Sequence, residues 1–253
     1  MPKIRLDTLL VERGLFESRS RAAAAVIAGE VRLGDAGARA QKPGQMVAGD
    51  AALSVDDAPQ FVSRGGIKLA NALDALGIDP SACACLDVGA STGGFTDCLL
   101  QRGAHHVIAL DVAYGQLHWS LRQDERVTVI ERANARELDP GSLPYRPDLI
   151  VVDVSFISLK KVLPAVLAAA APRFDCLALV KPQFEVGRER VGKGGVVRAA
   201  EDRQAAIDDV AAFAADGGWS VVGRAESGLP GPAGNLETFV WIAEAARTAE
   251  VRV

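Results

Sequence analysis

The sequence is poor in everything that would mark a disulfide scaffold, a metal centre or a membrane span. Its four cysteines, Cys83, Cys85, Cys98 and Cys176, are too few and too irregular for a disulfide framework. Cys83 and Cys85 lie in an apolar run, the setting of a buried strand, and no second ligand pair completes a zinc site. The three histidines, His105, His106 and His118, show no metal spacing. The longest apolar stretch, residues 162–171, is too short to cross a bilayer and is bounded by lysines and Pro172. Met1–Pro2–Lys3–Ile4–Arg5–Leu6–Asp7 lacks the apolar core of a signal peptide. The expectation is a cytoplasmic protein with no metal and no membrane association. A surplus of positive charge is also missing, since the net charge is −4. Within the first 45 residues, however, eight lysines and arginines face five acids, so the acidic surplus lies elsewhere and the amino-terminal part is locally basic. Repeats and low-complexity tracts are absent as well.

What is present is a globular composition, 49% apolar and 24% charged, over a length that suits one domain with a small appendage. Residues 5–55 read as a compact module. Leu6, Leu9 and Leu10 form a helical stripe that Gly14 stops. Ser18 or Ser20 can cap a second helix carrying Ala22, Ala23, Val26 and Ile27, with Gly29 just beyond it. Short strands are expected at 31–33, 46–47 and 53–55, punctuated by glycine turns. Arg19 and Arg21 open the second helix, where free N–H groups and the helix dipole favour a phosphate. The string Arg5–Leu6–Asp7…Leu10…Gly14–Leu15…Ser18–Arg19…Ala22…Ile27…Gly29…Val31…Lys42–Pro43…Gly49–Asp50 resembles the small RNA-binding domain named after ribosomal protein S-four. Leu33–Gly34–Asp35 departs from that family's usual hydrophobic-Asn-Gly turn, which implies a different turn type in the same fold. The domain organisation expected is 1–57 for this α+β module, 58–63 for a polar linker that Phe61 and Val62 can dock, and 64–253 for a second domain.

That second domain alternates strands and helices. Strands are expected at 83–88, 106–111, 127–131, 149–153 and 176–180, and helices at 96–101 and 159–171. Later strands at 219–224 and 237–243 complete a seven-stranded sheet. The loop between them is too rich in proline for a helix, so the last strand is expected to run antiparallel. The segment Leu86–Asp87–Val88–Gly89–Ala90–Ser91–Thr92–Gly93–Gly94–Phe95–Thr96 is a strand, a glycine turn and a helix start, where backbone can approach a nucleotide-like ligand. The dinucleotide fingerprint needs glycine where Ser91 stands, which disfavours a nicotinamide oxidoreductase. Asp87, expected to point into the ligand crevice, would repel a pyrophosphate and suits the cationic methionyl portion of S-adenosylmethionine. Asp111 ends the next strand, placed to accept from the cofactor ribose, and Asn134 follows the third, near the adenine edge. Candidate cofactor residues are therefore Asp87, Gly89, Ala90, Ser91, Thr92, Gly93, Gly94, Phe95, Asp111, Asn134 and Asp153.

Four charged residues are expected at the same carboxyl edge of the sheet: Lys68, Asp153, Lys181 and Glu237. A ribose 2′-hydroxyl, with a pKa of roughly 12, must nearly lose its proton as it attacks a sulfonium methyl. A lysine can take that proton only when its ammonium is destabilised, which a second cation nearby does. Lys181 is assigned as base or alkoxide stabiliser, with Lys68 and Asp153 tuning it and Glu237 fixing the second lysine or the sugar. No metal is required.

These four residues resemble the Lys–Asp–Lys–Glu tetrad of ribose 2′-O-methyltransferases related to FtsJ. The order of the two domains is similar to that of the TlyA family of ribosomal RNA methyltransferases. So are Tyr114–Gly115–Gln116–Leu117, Glu131–Arg132–Ala133–Asn134–Ala135–Arg136, Asp153–Val154–Ser155–Phe156–Ile157–Ser158–Leu159, Val180–Lys181–Pro182–Gln183–Phe184–Glu185–Val186–Gly187 and Gly231–Pro232–Ala233–Gly234–Asn235–Leu236–Glu237. The resemblance implies a Rossmann-like seven-stranded class I methyltransferase domain, S-adenosylmethionine as cofactor, and cytidine 2′-hydroxyls of small- or large-subunit ribosomal RNA as substrate. Ala233 stands where relatives often carry serine. Members are also called haemolysin-like, but the sequence has neither a spanning segment nor a strongly basic amphipathic helix. RNA contacts are expected from Arg5, Arg19, Arg21, Lys42, Arg64, Arg132, Arg136, Arg188 and Lys193. The glycine-rich loop 187–195, which also carries Arg190, is expected to be mobile and to close over a flipped nucleotide. Alternative readings are a catalytically dead RNA-binding protein, which predicts losses among the four charged residues, and a small-molecule methyltransferase, which leaves the basic front module unexplained.

Overall fold

The computed structural model describes residues 3–34, 37–55 and 60–245. They form two compact units that divide after Gln60, inside the expected linker. Linker residues 56–59, and Asp35 of the expected turn, lie outside the described residues.

The smaller unit contains β1 (Lys3–Arg5), α1 (Leu6–Glu12), α2 (Arg19–Ala28), β2 (Val31–Leu33), β3 (Ala38–Arg39), β4 (Met46–Ala48) and β5 (Leu53–Val55). β1 pairs with β4, and β2 lies between β3 and β5, all antiparallel. Ser18 caps α2 by accepting the Arg21 N–H at 3.3 Å. Gly29 ends it at a φ of +78°, a conformation that costs glycine little. Leu6, Leu10, Ala22, Ala25, Val26 and Val31 bury the apolar faces of these elements together.

The larger unit begins with Phe61, whose buried ring packs on Gly66, where a Cβ would collide with it. Its elements are α3 (Arg64–Leu76), β6 (Ala84–Val88), α4 (Gly94–Gln101), β7 (His106–Leu110), α5 (Trp119–Arg122), β8 (Val127–Ile130), β9 (Leu149–Val152), α6 (Leu163–Ala168), β10 (Asp175–Val180), α7 (Pro182–Glu185), α8 (Ala200–Asp216), β11 (Ser220–Glu226) and β12 (Thr238–Ala243). The seven strands form one sheet in the order β11-β12-β10-β9-β6-β7-β8. β9, β10, β6, β7 and β8 are parallel, and β12 runs antiparallel to both β10 and β11, as the proline-rich connection requires. The central strands are apolar on both faces because helices cover both, which is why β9 reads Leu-Ile-Val-Val without alternation. Chain order reverses between β6 and β9, the switch point beside which open α/β sheets place their ligands.

One expected helix is corrected. The segment 159–171 divides into a 3₁₀ turn, Leu159–Lys161, and α6. Pro164 sits in the first turn of α6 and has no N–H to donate backward, so one continuous helix cannot form there.

Candidate active site

The glycine turn after β6 is built by close approach. Gly89 has a φ of +85°, and a Cβ there would collide with the carbonyl oxygen of Asp153 at the end of β9. At Gly94 a Cβ would strike Ser63 Oγ and crowd the backbone N–H of Gly66. The amino ends of α3 and α4 therefore meet beside the turn. With the proline loop that precedes β12 they enclose a cavity of about 540 Å³, within the range of small-molecule sites. Lys68, Gly89, Ala90, Ser91, Thr92, Gly94, Phe95, Asp153, Lys181 and Glu237 line it.

All four expected catalytic residues thus reach one cavity, and they are held as two ion pairs. Lys68 Nζ donates to Glu237 Oε2 at 2.5 Å, with side chains 9% and 1% exposed. Lys181 pairs with Asp153 and donates to Ser155 Oγ at 3.0 Å. The second oxygen of Glu237 is buried without a hydrogen bond among the described residues and occupies the space that a side chain at residue 231 would need, so Gly231 gives it room.

The expected cofactor residues divide into two groups. Asp87 does not point into the crevice: it is fully buried behind the glycine turn, where Oδ2 accepts the backbone N–H of Thr96 at 2.9 Å and its hydroxyl at 2.7 Å. Burial, reinforced by the charges of Asp153 and Asp111, pushes its carboxyl up to about 7. Its Oδ1 has no partner among the described residues. Asp111 braces the turn, accepting the N–H groups of Ser91 and Ala113, each at 2.7 Å. Asn134 caps the 3₁₀ turn Ala135–Glu137 by accepting the Arg136 N–H at 3.2 Å. Gly93 packs on Leu117 and Leu121. None of these four lines the cavity, whereas the other seven do.

Among the expected RNA contacts, Arg64 lines the cavity and donates to the carbonyl of Pro230 at 2.9 Å. Arg132 lies over the exposed ring of Tyr114, 4.4 Å from its centroid. Arg136 is exposed beside Glu137. In the smaller unit Arg5 and Arg19 both bond the buried Asp7, at 2.7 and 3.4 Å, and Arg21 pairs with Glu17 at 2.7 Å. The Arg5 guanidinium holds the Asp7 carboxyl down at about 2 against the cost of burial. Arg5 keeps 50% and Arg19 59% of its side-chain surface open. Lys42 is exposed on this unit as well.

The loop 187–195, expected to be mobile, carries specific contacts in the structure. Arg188–Arg190 forms a 3₁₀ turn, Gly192 bridges to Val196, and the side chain of Asn235 bonds both Gly195 and Val197.

Sequence reasoning missed Ser63, Gly65, Ser155, Pro230 and Pro232, which also line the cavity. The signal for Ser155 was its place two residues after a strand-end aspartate. Phe156 follows it at a φ of +63°, 92% exposed, with its ring 5.2 Å from that of Phe184. An aromatic pair therefore stands directly beyond Asp153 and Lys181 in sequence, formed by residues three positions after each.

The "FtsJ-like methyltransferase" family model matches residues 61–244. The chain is 51% identical to the 16S/23S rRNA (cytidine-2'-O)-methyltransferase TlyA of Mycobacterium tuberculosis, over 95% of this chain and 90% of that one. It is 37% identical to the 23S rRNA (cytidine-2'-O)-methyltransferase TlyA of Campylobacter jejuni, over 72% and 70%. Among solved structures, a hemolysin candidate from Streptococcus thermophilus superposes with a TM-score of 0.75 at 40% identity, covering 99% of this chain and 92% of that one. The glycine turn, the paired lysines and carboxylates at the switch point and these similarities lead to one conclusion: the chain belongs to the FtsJ-like methyltransferase family.

Proposed function

We propose that the chain methylates the 2′-hydroxyl of cytidines in ribosomal RNA, with S-adenosylmethionine as methyl donor. The observation that carries this reading is the pair of lysine–carboxylate bridges, one buried and one partly exposed, lining one cavity beside the glycine turn. The cofactor fits what is there: at Gly89 and Gly94 backbone replaces side chain, and Asp111 presents the Ser91 turn. When bound, it supplies an electrophilic methyl on a sulfonium sulfur. Gly89, Ala90, Ser91, Thr92, Gly94 and Phe95 would hold it, with Asp87, Gly93 and Asp111 fixing the turn from behind and Asn134 placed beyond the third strand.

Lys181, oriented by Asp153 and Ser155, takes the hydroxyl proton when its amine is neutral; as an ammonium it balances the charge left on the oxygen. Lys68, held by Glu237, places a second positive charge on the same wall. Fixed charges of this kind, turned toward an oxygen that becomes more negative, supply much of the rate in such sites. Phe156 and Phe184 offer aromatic surface on which a base can stack. Arg5, Arg19, Arg21 and Lys42 on the smaller unit, read as the S-four-like domain 1–57, contact phosphates, as do Arg64, Arg132, Arg136, Arg188 and Lys193 on the larger one. Among the described residues no helix is long and apolar enough to cross a membrane, so no helical span supports a lytic role.

The test is transfer of labelled methyl from S-adenosylmethionine to isolated ribosomal subunits. Lys181→Ala is expected to lose about 10²–10⁴-fold in rate while binding the cofactor nearly as well as the parent. A loss of less than about threefold refutes the assignment of Lys181.

A further inference from the structure

We infer that Asn235 is a positioning residue that hangs the basic loop 188–198 at the edge of the active site, and so sets how tightly RNA is captured. The inference rests on the RNA methyltransferase reading above. Asn235 is 1% exposed, and its amide is used from both ends. Its Oδ1 accepts the backbone N–H of Val197 at 2.9 Å, and its Nδ2 donates to the carbonyl of Gly195 at 2.8 Å. One partner is a donor and the other an acceptor, so only one orientation of the amide satisfies both. Its own carbonyl accepts the N–H of Gly231 at 2.8 Å, closing the turn that ends two residues later at Glu237.

One side chain therefore joins the loop that carries Arg188, Arg190 and Lys193 to the turn that presents Glu237 to Lys68. Arg203 holds the far end of the loop, donating to the carbonyl of Arg198 at 2.5 Å, and the Val197 side chain is buried. Arg190 is engaged by Asp202 at 3.6 Å. Arg188, Lys193 and Arg198 are exposed and have no ion-pair partner among the described residues, so three cations of the loop face solvent, Arg188 and Lys193 on its outer part. Cations on a pre-formed loop reach a phosphate without the cost of ordering the segment first.

The experiment uses the full chain, labelled S-adenosylmethionine and isolated ribosomal subunits, with kcat and KM measured separately for Asn235→Asp, Arg188→Ala/Lys193→Ala and the combined triple variant. Asn235→Asp replaces the only donor of the amide with an acceptor facing the Gly195 carbonyl. It is expected to raise KM for the subunits about tenfold, with kcat and cofactor affinity within about threefold of the parent. Such a split is the signature of lost binding rather than lost transition-state contact. The Arg188→Ala/Lys193→Ala variant is expected to raise KM comparably, and the triple variant to add little, because both changes remove the same contact. Asn235→Ala, which removes the amide without adding charge, is the second variant should Asn235→Asp not fold. A fall in kcat with KM unchanged would mean that Asn235 serves Glu237 rather than the loop, and overturns the inference. So does an unchanged KM in Arg188→Ala/Lys193→Ala, or full additivity in the triple variant. Absence of methyl transfer by the parent chain overturns the reading on which the inference rests, and is seen before any variant is compared.

Discussion

Removing Glu237 should strand a buried cation, and the size of the effect can be worked out from the structure. Lys68 and Glu237 lie 2.5 Å apart with side chains 9% and 1% exposed, so neither charge has bulk water to fall back on. Two unit charges about 4 Å apart attract by roughly 4 kcal/mol at an effective dielectric of about 20. Deleting one partner of a buried pair costs about 3–5 kcal/mol, chiefly because the survivor is left uncompensated. Glu237→Met and Lys68→Met should each destabilise the larger unit by that amount. The double variant should lose much less than the sum, since two apolar side chains of similar volume leave no buried charge. All three tryptophans, Trp119, Trp219 and Trp241, lie in this unit, so their fluorescence follows its unfolding in urea without interference from the smaller one. With a slope of about 2–3 kcal/mol per molar urea, each single variant should lower the midpoint by about 1–2.5 M. Midpoints lowered by less than about 0.3 M, or a double variant equal to the sum of the singles, would refute the claim that this pair is buried and coupled.

Other predictions concern the glycine turn, its buried acid and the smaller unit. Gly89→Ala should abolish cofactor binding in isothermal titration and destabilise the chain, because a Cβ at a φ of +85° meets the Asp153 carbonyl, a backbone group that cannot swing away; binding at parental affinity would contradict this. Asp87 keeps its proton to about 7 in the folded chain, whereas unfolded it ionises near about 4. Between those values the native state holds a proton that the unfolded state has lost, so this group's contribution to stability falls as pH rises from about 4 to about 7. Asp87→Asn should flatten that part of the urea-midpoint profile, and an unchanged profile would contradict the assignment. Finally, Arg19→Ala/Arg21→Ala should flatten the dependence of log affinity for ribosomal subunits on log salt by nearly one unit per lost phosphate contact; an unchanged slope removes these arginines from the RNA interface.

The sheet was legible from sequence because its parallel strands are buried on both faces and read as apolar runs ending in a polar residue. That pattern located Asp153 and Lys181, and with them the carboxyl edge. The two- and three-residue strands β3 and β1 were not foreseen, whereas the three-residue strands β2, β4 and β5 were, because glycine turns punctuate them and not because so short a segment carries a period. Asp87 was recognised but misdirected: that it folds back onto Thr96, nine positions on, depends on how the turn enters α4. Pro230 and Asn235 look like ordinary loop residues. Their roles come from the convergence of three separate loops, which no local pattern encodes. The contact of loop 187–195 with the Asn235 amide was not legible either, because glycine signals only local freedom and the amide comes from a residue 40 positions away.

The central claim is tested most directly by mapping ribose methylation in ribosomal RNA from cells with and without the gene, and from cells carrying Lys181→Ala. The account predicts 2′-O-methylated cytidine at one or more positions in the parent, absent from both the deletion and the lysine variant. An identical methylation pattern in all three, or a lost methyl that proves to sit on a base rather than on a ribose oxygen, would contradict it.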